Sequence, residues 1–188
     1  MEHSFHYYRI ILSIAYYLIL HINVTFLNRY IFTTMENTKI KVLYIDDEVN
    51  NLDAFKANFR KIYEIHTATS ASEGRKILES TEIEIILTDQ RMPEMNGVDF
   101  LASIVTEFPN PMKILLTGFT DMQALIEGIN KGQIYRYLTK PWNEEELKMF
   151  INQAFEVYSL RKENMELTKS LLQANKQLEF LLRQRLLS

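Results

Sequence analysis

The chain has 188 residues, of which 47% are hydrophobic and 24% are charged, and its formal net charge is -3. This balance suits one globular domain of ordinary size with additional segments, and it gives no reason to expect nucleic acid as the main partner. Because the sequence contains no cysteine, a disulfide framework, a thiolate nucleophile and a cysteine metal site are all excluded.

The first segment, residues 1–34, contains an apolar stretch at 10–27 without Asp, Glu, Lys or Arg. As a helix this stretch would span roughly 27 Å, just enough to cross a bilayer core. Three polar residues argue against burial in lipid: His21, Asn23 and Thr25. Met35 offers an alternative start for the part that follows. Two interpretations stay open: a membrane anchor whose carboxyl end faces the cytoplasm, or an upstream extension that the cell does not use.

Short apolar runs alternate with helical patterns through the central part of the chain. Strands are predicted near 41–45, 63–67, 83–87, 114–116 and 134–138, and helices near 50–62, 70–78, 98–107, 121–128 and from 144 onward. Alternation at such short intervals predicts an α/β fold, in which a parallel sheet carries helices on both faces.

Polar side chains follow four of these predicted strands. Asp46 and Asp47 come after the first strand, Asp89 after the third, Thr117 after the fourth and Lys140 after the fifth. Because the carboxyl ends of parallel strands share one edge, we expect these residues to converge there. Three gathered carboxylates need a cation, and their oxygens suit Mg²⁺. An ionised aspartate beside a metal, a lysine and a hydroxyl predicts phosphoryl transfer to a carboxylate.

Four motifs then reveal a family resemblance: YIDDE (44–48), LTDQRMPEMNG (87–97), LLTGFTD (115–121) and YRYLTKPW (135–142). In this order and at this spacing they resemble the receiver domain of two-component response regulators. The resemblance covers residues 39–156. It implies a doubly wound, flavodoxin-like sheet of five parallel strands in the order 2-1-3-4-5.

The resemblance also implies a role for each site residue. Asp89 corresponds to the phosphoacceptor, and Mg²⁺ would be held by Asp46, Asp47, Asp89 and the backbone carbonyl of Arg91. The switch residues would be Thr117, Tyr137 and Lys140, which supply a hydroxyl, an aromatic ring and a phosphate-sensing cation. The Lys140–Pro141 peptide bond is expected to be cis.

A heptad pattern occupies the tail, residues 157–188. With Val157 at position a, the a positions are Val157, Asn164, Leu171 and Leu178, and the d positions are Leu160, Leu167, Ala174 and Leu181. A single Asn at position a favours a parallel two-stranded coiled coil, and hence a homodimer. The alternative is one amphipathic helix that packs back on its own domain.

The sequence therefore predicts a cytoplasmic response regulator that receives phosphate from a sensor histidine kinase or a phosphotransfer protein. It would signal through protein contacts, without a nucleic-acid partner, and catalyse only its own phosphorylation and dephosphorylation. Three alternatives stay open: a coiled-coil adaptor that is not phosphorylated, an aspartyl phosphatase, and the front part of a longer regulator. The phosphatase is disfavoured because Arg91 stands where such enzymes typically carry a second Asp.

Overall fold

The computed structural model describes residues 39–118 and 134–187. Five strands and four helices lie in these ranges. They are β1 (Lys41–Ile45), α1 (Val49–Phe59), β2 (Glu64–Ala68), α2 (Ala71–Ser80), β3 (Ile85–Asp89), α3 (Gly97–Ile104), β4 (Met112–Thr117), β5 (Arg136–Thr139) and α4 (Glu144–Leu187).

All five strands run parallel in one sheet, in the order β2-β1-β3-β4-β5. This confirms the order that the family resemblance implied. The registers align the last residues of neighbouring strands: Asp89 lies opposite Leu116, and Thr117 lies opposite Thr139. The carboxyl ends of the strands therefore form one continuous edge.

Helices α2 and α3 each begin within one residue of the predicted start, and a side chain caps the first turn of each. The Ser70 side chain accepts a hydrogen bond from the Glu73 backbone N–H, as a capping box requires. The Glu73 carboxylate reaches the backbone of Thr69, one residue earlier than that motif specifies. Asn96 caps α3 through the N–H of Asp99, so this helix begins one residue before the predicted start. The helix predicted at 121–128 lies outside the described residues.

Two hydrophobic layers cover the faces of the sheet, because successive strand residues point to opposite sides. Val42 and Tyr44 face the layer that α1 and α4 complete, whereas Leu43 and Ile45 face the layer under α2 and α3. All four side chains are completely buried. The sheet is therefore fixed between helices, and the positions of its strand ends follow from this packing.

The last helix continues without interruption for 44 residues, roughly 66 Å at 1.5 Å per residue. Its first part packs on the sheet through Leu147, Ile151, Ala154 and Tyr158. Before the amino end of β3, at the end of the sheet opposite Asp89, the Glu82 carboxylate accepts hydrogen bonds from the Tyr158 hydroxyl and the Lys162 ammonium. The tail therefore leaves the sheet at the end remote from Asp89.

Beyond this point the tail is exposed. Leu160, Leu167 and Leu171 are 65%, 63% and 63% exposed, so no described part of the chain covers their side chains. Within the described ranges these side chains therefore do not pack on the sheet layers, and the choice between the coiled coil and the packed-back helix stays a prediction. Val157, the first residue of the heptad pattern, instead packs against the core.

Within the described ranges, no helix is both long and apolar enough to cross a membrane. The apolar stretch at 10–27 and the two interpretations of residues 1–34 lie outside these ranges.

One buried charge in the fold predicts a pH-dependent stability. Lys113 in β4 donates from Nζ to the carbonyls of Phe108 and Pro111, and burial, together with Arg161, lowers its pKa to about 8. Between about pH 8 and 10.5 the unfolded chain therefore binds more protons, so this lysine makes the free energy of unfolding rise with pH. We expect a rise on the order of 1–3 kcal/mol in the wild type relative to Lys113→Met.

Urea unfolding of both proteins across that interval measures the difference. Since the other titrating groups are common to the two chains, parallel pH profiles would show that Lys113 keeps an ordinary pKa in the folded state.

Candidate functional site

Four strand ends bring polar residues to the same edge of the sheet. Asp46 follows β1, Asp89 ends β3, Thr117 ends β4 and Lys140 follows β5. Backbone hydrogen bonds continue the pairing past the strands: Asp46 N–H donates to Ala68, and Lys140 N–H donates to Thr117. The arrangement depends on the parallel sheet, which places residues distant in sequence next to one another.

Lys140 connects the two buried acids of this edge. Its Nζ donates to Asp46 Oδ2 at 2.8 Å and forms an ion pair with Asp89 Oδ1. The Lys140 side chain is 29% exposed, whereas Asp46 is almost fully enclosed. Burial lowers the lysine pKa, but the two carboxylates outweigh this effect and raise it above its ordinary value. The ammonium group therefore stays charged and offsets the repulsion between the acids.

Asp46 lies at the centre of a hydrogen-bond network. Besides Lys140, its carboxylate accepts from the Tyr44 hydroxyl at 2.6 Å, from the Asn51 amide at 3.0 and 3.1 Å, and from the Glu48 backbone N–H at 3.0 Å. Burial would raise the pKa of Asp46, but hydrogen bonds from Lys140, Tyr44, Asn51 and Glu48 bring it below the usual value. The carboxylate is consequently ionised and held in one orientation.

The loop after β3 holds Asp89 from its other side. The Arg91 backbone N–H donates to Asp89 Oδ2 at 2.6 Å, and Gly97 N–H donates to the Gln90 carbonyl at 3.0 Å. A Cβ atom at Gly97 would lie 2.3 Å from the Asp89 carbonyl oxygen. Only glycine therefore allows α3 to begin this close to the acid.

Other predicted residues lie near this edge without joining the network. Asp47 is exposed, and no hydrogen bond or ion pair links it to a described residue. The Thr117 side chain is buried, and its hydroxyl donates to the Gly118 carbonyl at 3.0 Å. Tyr137 is partly exposed on β5. The Lys140–Pro141 bond is cis, as predicted.

The side chains at this edge supply the kind of oxygen ligands that the predicted Mg²⁺ site requires. In the described ranges, no three acidic or histidine side chains are placed to hold a metal ion together. Two carboxylates, Asp46 and Asp89, do lie on either side of one cation, and hard oxygen ligands of this kind are those that Mg²⁺ prefers. A role for Asp47 and for the Arg91 carbonyl stays a prediction.

Two residues of this site were missed in the sequence. Tyr44 lies within the apolar run of β1, and Asn51 lies within α1. The signal for Tyr44 is its spacing, because residues i and i+2 of a strand share a face, which puts its hydroxyl beside Asp46. Asn51 lies in the first turn of α1, which starts three residues after Asp46.

Comparison with known proteins identifies the family. The model of the response regulator receiver domain matches residues 42–152, which is more than half of the chain. The chain belongs to the response regulator receiver family. Receiver domains are the regulatory modules of two-component regulators, and the observed fold and strand order agree with this membership.

Three relatives show how far the similarity extends. The hydrogenase transcriptional regulatory protein HoxA of Bradyrhizobium diazoefficiens is 34% identical over 122 residues, 65% of this chain and 25% of HoxA. A receiver domain from Clostridium thermocellum matches with 34% identity and a TM-score of 0.61, covering 64% of this chain and 98% of that one. The structure of adenylate cyclase from Rhodopirellula baltica matches with 30% identity and a TM-score of 0.68, over 70% and 98% of the two chains. The receiver chain thus spans about a quarter of the length of its curated relative HoxA.

The close approach at Gly97 predicts a local sensitivity to substitution. Gly97→Ala should lower the free energy of unfolding by about 3 kcal/mol or more, since the new methyl group meets the rigid backbone of Asp89. Gly74→Ala is the matched control, because its Cβ meets the end of the Ile45 side chain, which can move. We expect the control to lose less than half as much. Denaturant unfolding measures both, and equal losses would show that the Asp89 backbone can move away from the methyl group.

Proposed function

We propose that this receiver accepts a phosphoryl group on Asp89 from a sensor histidine kinase or a phosphotransfer protein, and that it signals through protein contacts. The observation that supports this most directly is the Lys140 ammonium between Asp46 and Asp89. It places a positive charge between two carboxylates at the edge of the sheet, which favours their charged forms, and an ionised carboxylate is the form that can attack phosphorus.

In this reaction an Asp89 carboxylate oxygen forms a bond to phosphorus as the bond between phosphorus and the donor's imidazole nitrogen breaks. The imidazole leaves with that electron pair. Asp89 is positioned by Lys140 at Oδ1 and by the Arg91 N–H at Oδ2. Lys140 and the Thr117 hydroxyl can each donate a hydrogen bond to a phosphoryl oxygen, which offsets the added negative charge.

A divalent cation would complete the charge balance. Asp46 and Asp89 are the ligands that the geometry favours, and the family resemblance adds Asp47 and the backbone carbonyl of Arg91. Mg²⁺ bound there would neutralise phosphoryl oxygens and orient the donor.

The switch roles of Thr117, Tyr137 and Lys140 belong to the same proposal. The Thr117 hydroxyl makes only a local hydrogen bond to Gly118 among the described residues, so it is available to a phosphoryl group. Tyr137 lies on the neighbouring strand and is partly exposed, which leaves its ring room to move. Catalysis would be limited to phosphorylation and dephosphorylation of Asp89. The cyclase activity in the name of the R. baltica protein belongs to that protein and is not assigned to this chain.

Phosphorylation by a small donor tests this directly. With acetyl phosphate and Mg²⁺ the full chain should gain one phosphoryl group, measured by intact-protein mass spectrometry, and Asp89→Asn should gain none. EDTA should reduce the yield at least tenfold, because the metal offsets the charge on the phosphoryl group. Asp99→Asn, an exposed acid in α3, is the control that should behave as the wild type. Phosphate on Asp89→Asn would refute the assignment.

We also propose that the chain has two functional parts, the receiver at 39–156 and the tail at 157–188, and that the tail forms a parallel homodimer. The exposed leucines at positions a and d support this, because they form an apolar seam that water otherwise contacts. Asn164 would enforce the parallel register.

A matched pair of substitutions tests the seam. Leu171 at position a and Leu172 at position b are neighbours of similar exposure, 63% and 57%. Leu171→Asp should make the chain monomeric by burying a charge in the seam, whereas Leu172→Asp should leave the dimer intact. Asn164→Leu should tighten association while loosening the choice of oligomer. Sedimentation equilibrium at micromolar concentration measures all three, and a monomeric wild type, with and without phosphate, would contradict the proposal.

A second function is favoured by the small fraction of a relative's length that this chain covers. Since the chain spans 25% of HoxA, the same receiver and tail could regulate a longer protein. In that arrangement the tail would connect the receiver to further domains instead of binding a separate partner. The transcriptional role in the name of HoxA belongs to HoxA and is not assigned to this chain.

A further inference from the structure

The donors around Asp46 are of two kinds. Lys140 comes from a long, partly exposed side chain that also binds Asp89. Tyr44, Asn51 and the Glu48 backbone come from β1 and from the start of α1, and they serve no second acid among the described contacts. The Lys140 side chain can move away when a ligand arrives, whereas the Tyr44 ring and the Glu48 backbone cannot move without disturbing the fold.

Tyr44 is fixed more tightly than any other donor side chain. It is completely buried, and its ring lies 5.0 Å from that of Phe55, centroid to centroid. A buried tyrosine hydroxyl needs a hydrogen-bond partner, and the described partner is Asp46 Oδ2 at 2.6 Å.

The carboxylate of Asp46 has no free position for another ligand. Two oxygens offer about four lone-pair sites, and Tyr44, Lys140, Asn51 and the Glu48 N–H already use them. A cation can therefore bind Asp46 only in exchange for one donor. Lys140 is the one that can leave, because its chain is long and partly exposed.

We propose that Tyr44 and Asn51 are positioning residues that hold the Asp46 carboxylate in the orientation a divalent cation requires, independently of Lys140. The inference rests on the proposed metal site and adds two residues to it. Partners of this kind behind a metal ligand typically contribute 10–100-fold in affinity. Their effect should therefore appear in metal binding itself, before any phosphoryl transfer.

The experiment measures MgCl₂ binding to the full chain without a phosphodonor, by calorimetry and by the fluorescence of Trp142. This is the single tryptophan of the sequence, and it lines the same cavity as Tyr44, Asn51 and Lys140. Tyr44→Phe keeps the buried ring and removes only the hydroxyl, and we expect it to weaken Mg²⁺ binding about tenfold. Asn51→Ala should weaken it similarly, and because Asn51 is only half-buried, this variant tests the proposal even where Tyr44→Phe fails to fold.

Tyr63→Phe is the matched control. Tyr63 belongs to the same hydrophobic layer and donates from its hydroxyl to Asn152 Oδ1 at 2.9 Å, but it makes no described contact with Asp46. Its loss should change stability and leave Mg²⁺ affinity unchanged. Wild-type affinity within twofold in both Tyr44→Phe and Asn51→Ala would overturn this inference alone. A wild-type chain that binds no Mg²⁺ would overturn it together with the proposed metal site.

Discussion

The ion pairs of Lys140 with Asp46 and Asp89 are the interaction on which the functional edge depends. Two acids buried at the ends of adjacent strands repel each other, and burial makes that repulsion more costly than in water. Because the ammonium lies between them, it offsets one of the two negative charges and reduces their mutual repulsion. The sheet can then place two carboxylates side by side while both remain largely buried.

The fold and much of the site were predictable because they depend on patterns that a sequence records. The apolar residues of the runs predicted at 41–45 and 83–87 mark strands buried on both faces, and the aspartates that follow mark the functional edge. The strand order came from the family resemblance, since periodicity does not say which strands pair. Element ends were less certain: β5 begins at Arg136, two residues after the predicted start, because apolar Ile134 is buried without being in the strand.

The remaining details depend on contacts between distant residues. Nothing near Asp46 in the sequence shows that Lys140, 94 residues away, will reach its carboxylate; only the sheet brings them together. Tyr44 is close to Asp46 in the sequence, but its role as a hydrogen-bond donor is not evident there, because a buried strand accepts tyrosine as an apolar residue. The exit of the tail at the far end of the sheet also needed the structure, since α4 begins beside Lys140 and ends its core packing near Glu82.

The uninterrupted course of α4 has a steric consequence. From Glu163 to its end at Leu187, the helix extends roughly 37 Å beyond its last contact with Glu82, and it does so on the side away from Asp89. A protein bound to the last turns of the tail would therefore not compete for space with a phosphodonor bound at the acidic edge. Both could occupy one chain at the same time. The two surfaces are therefore sterically independent, and occupation of one leaves the other accessible.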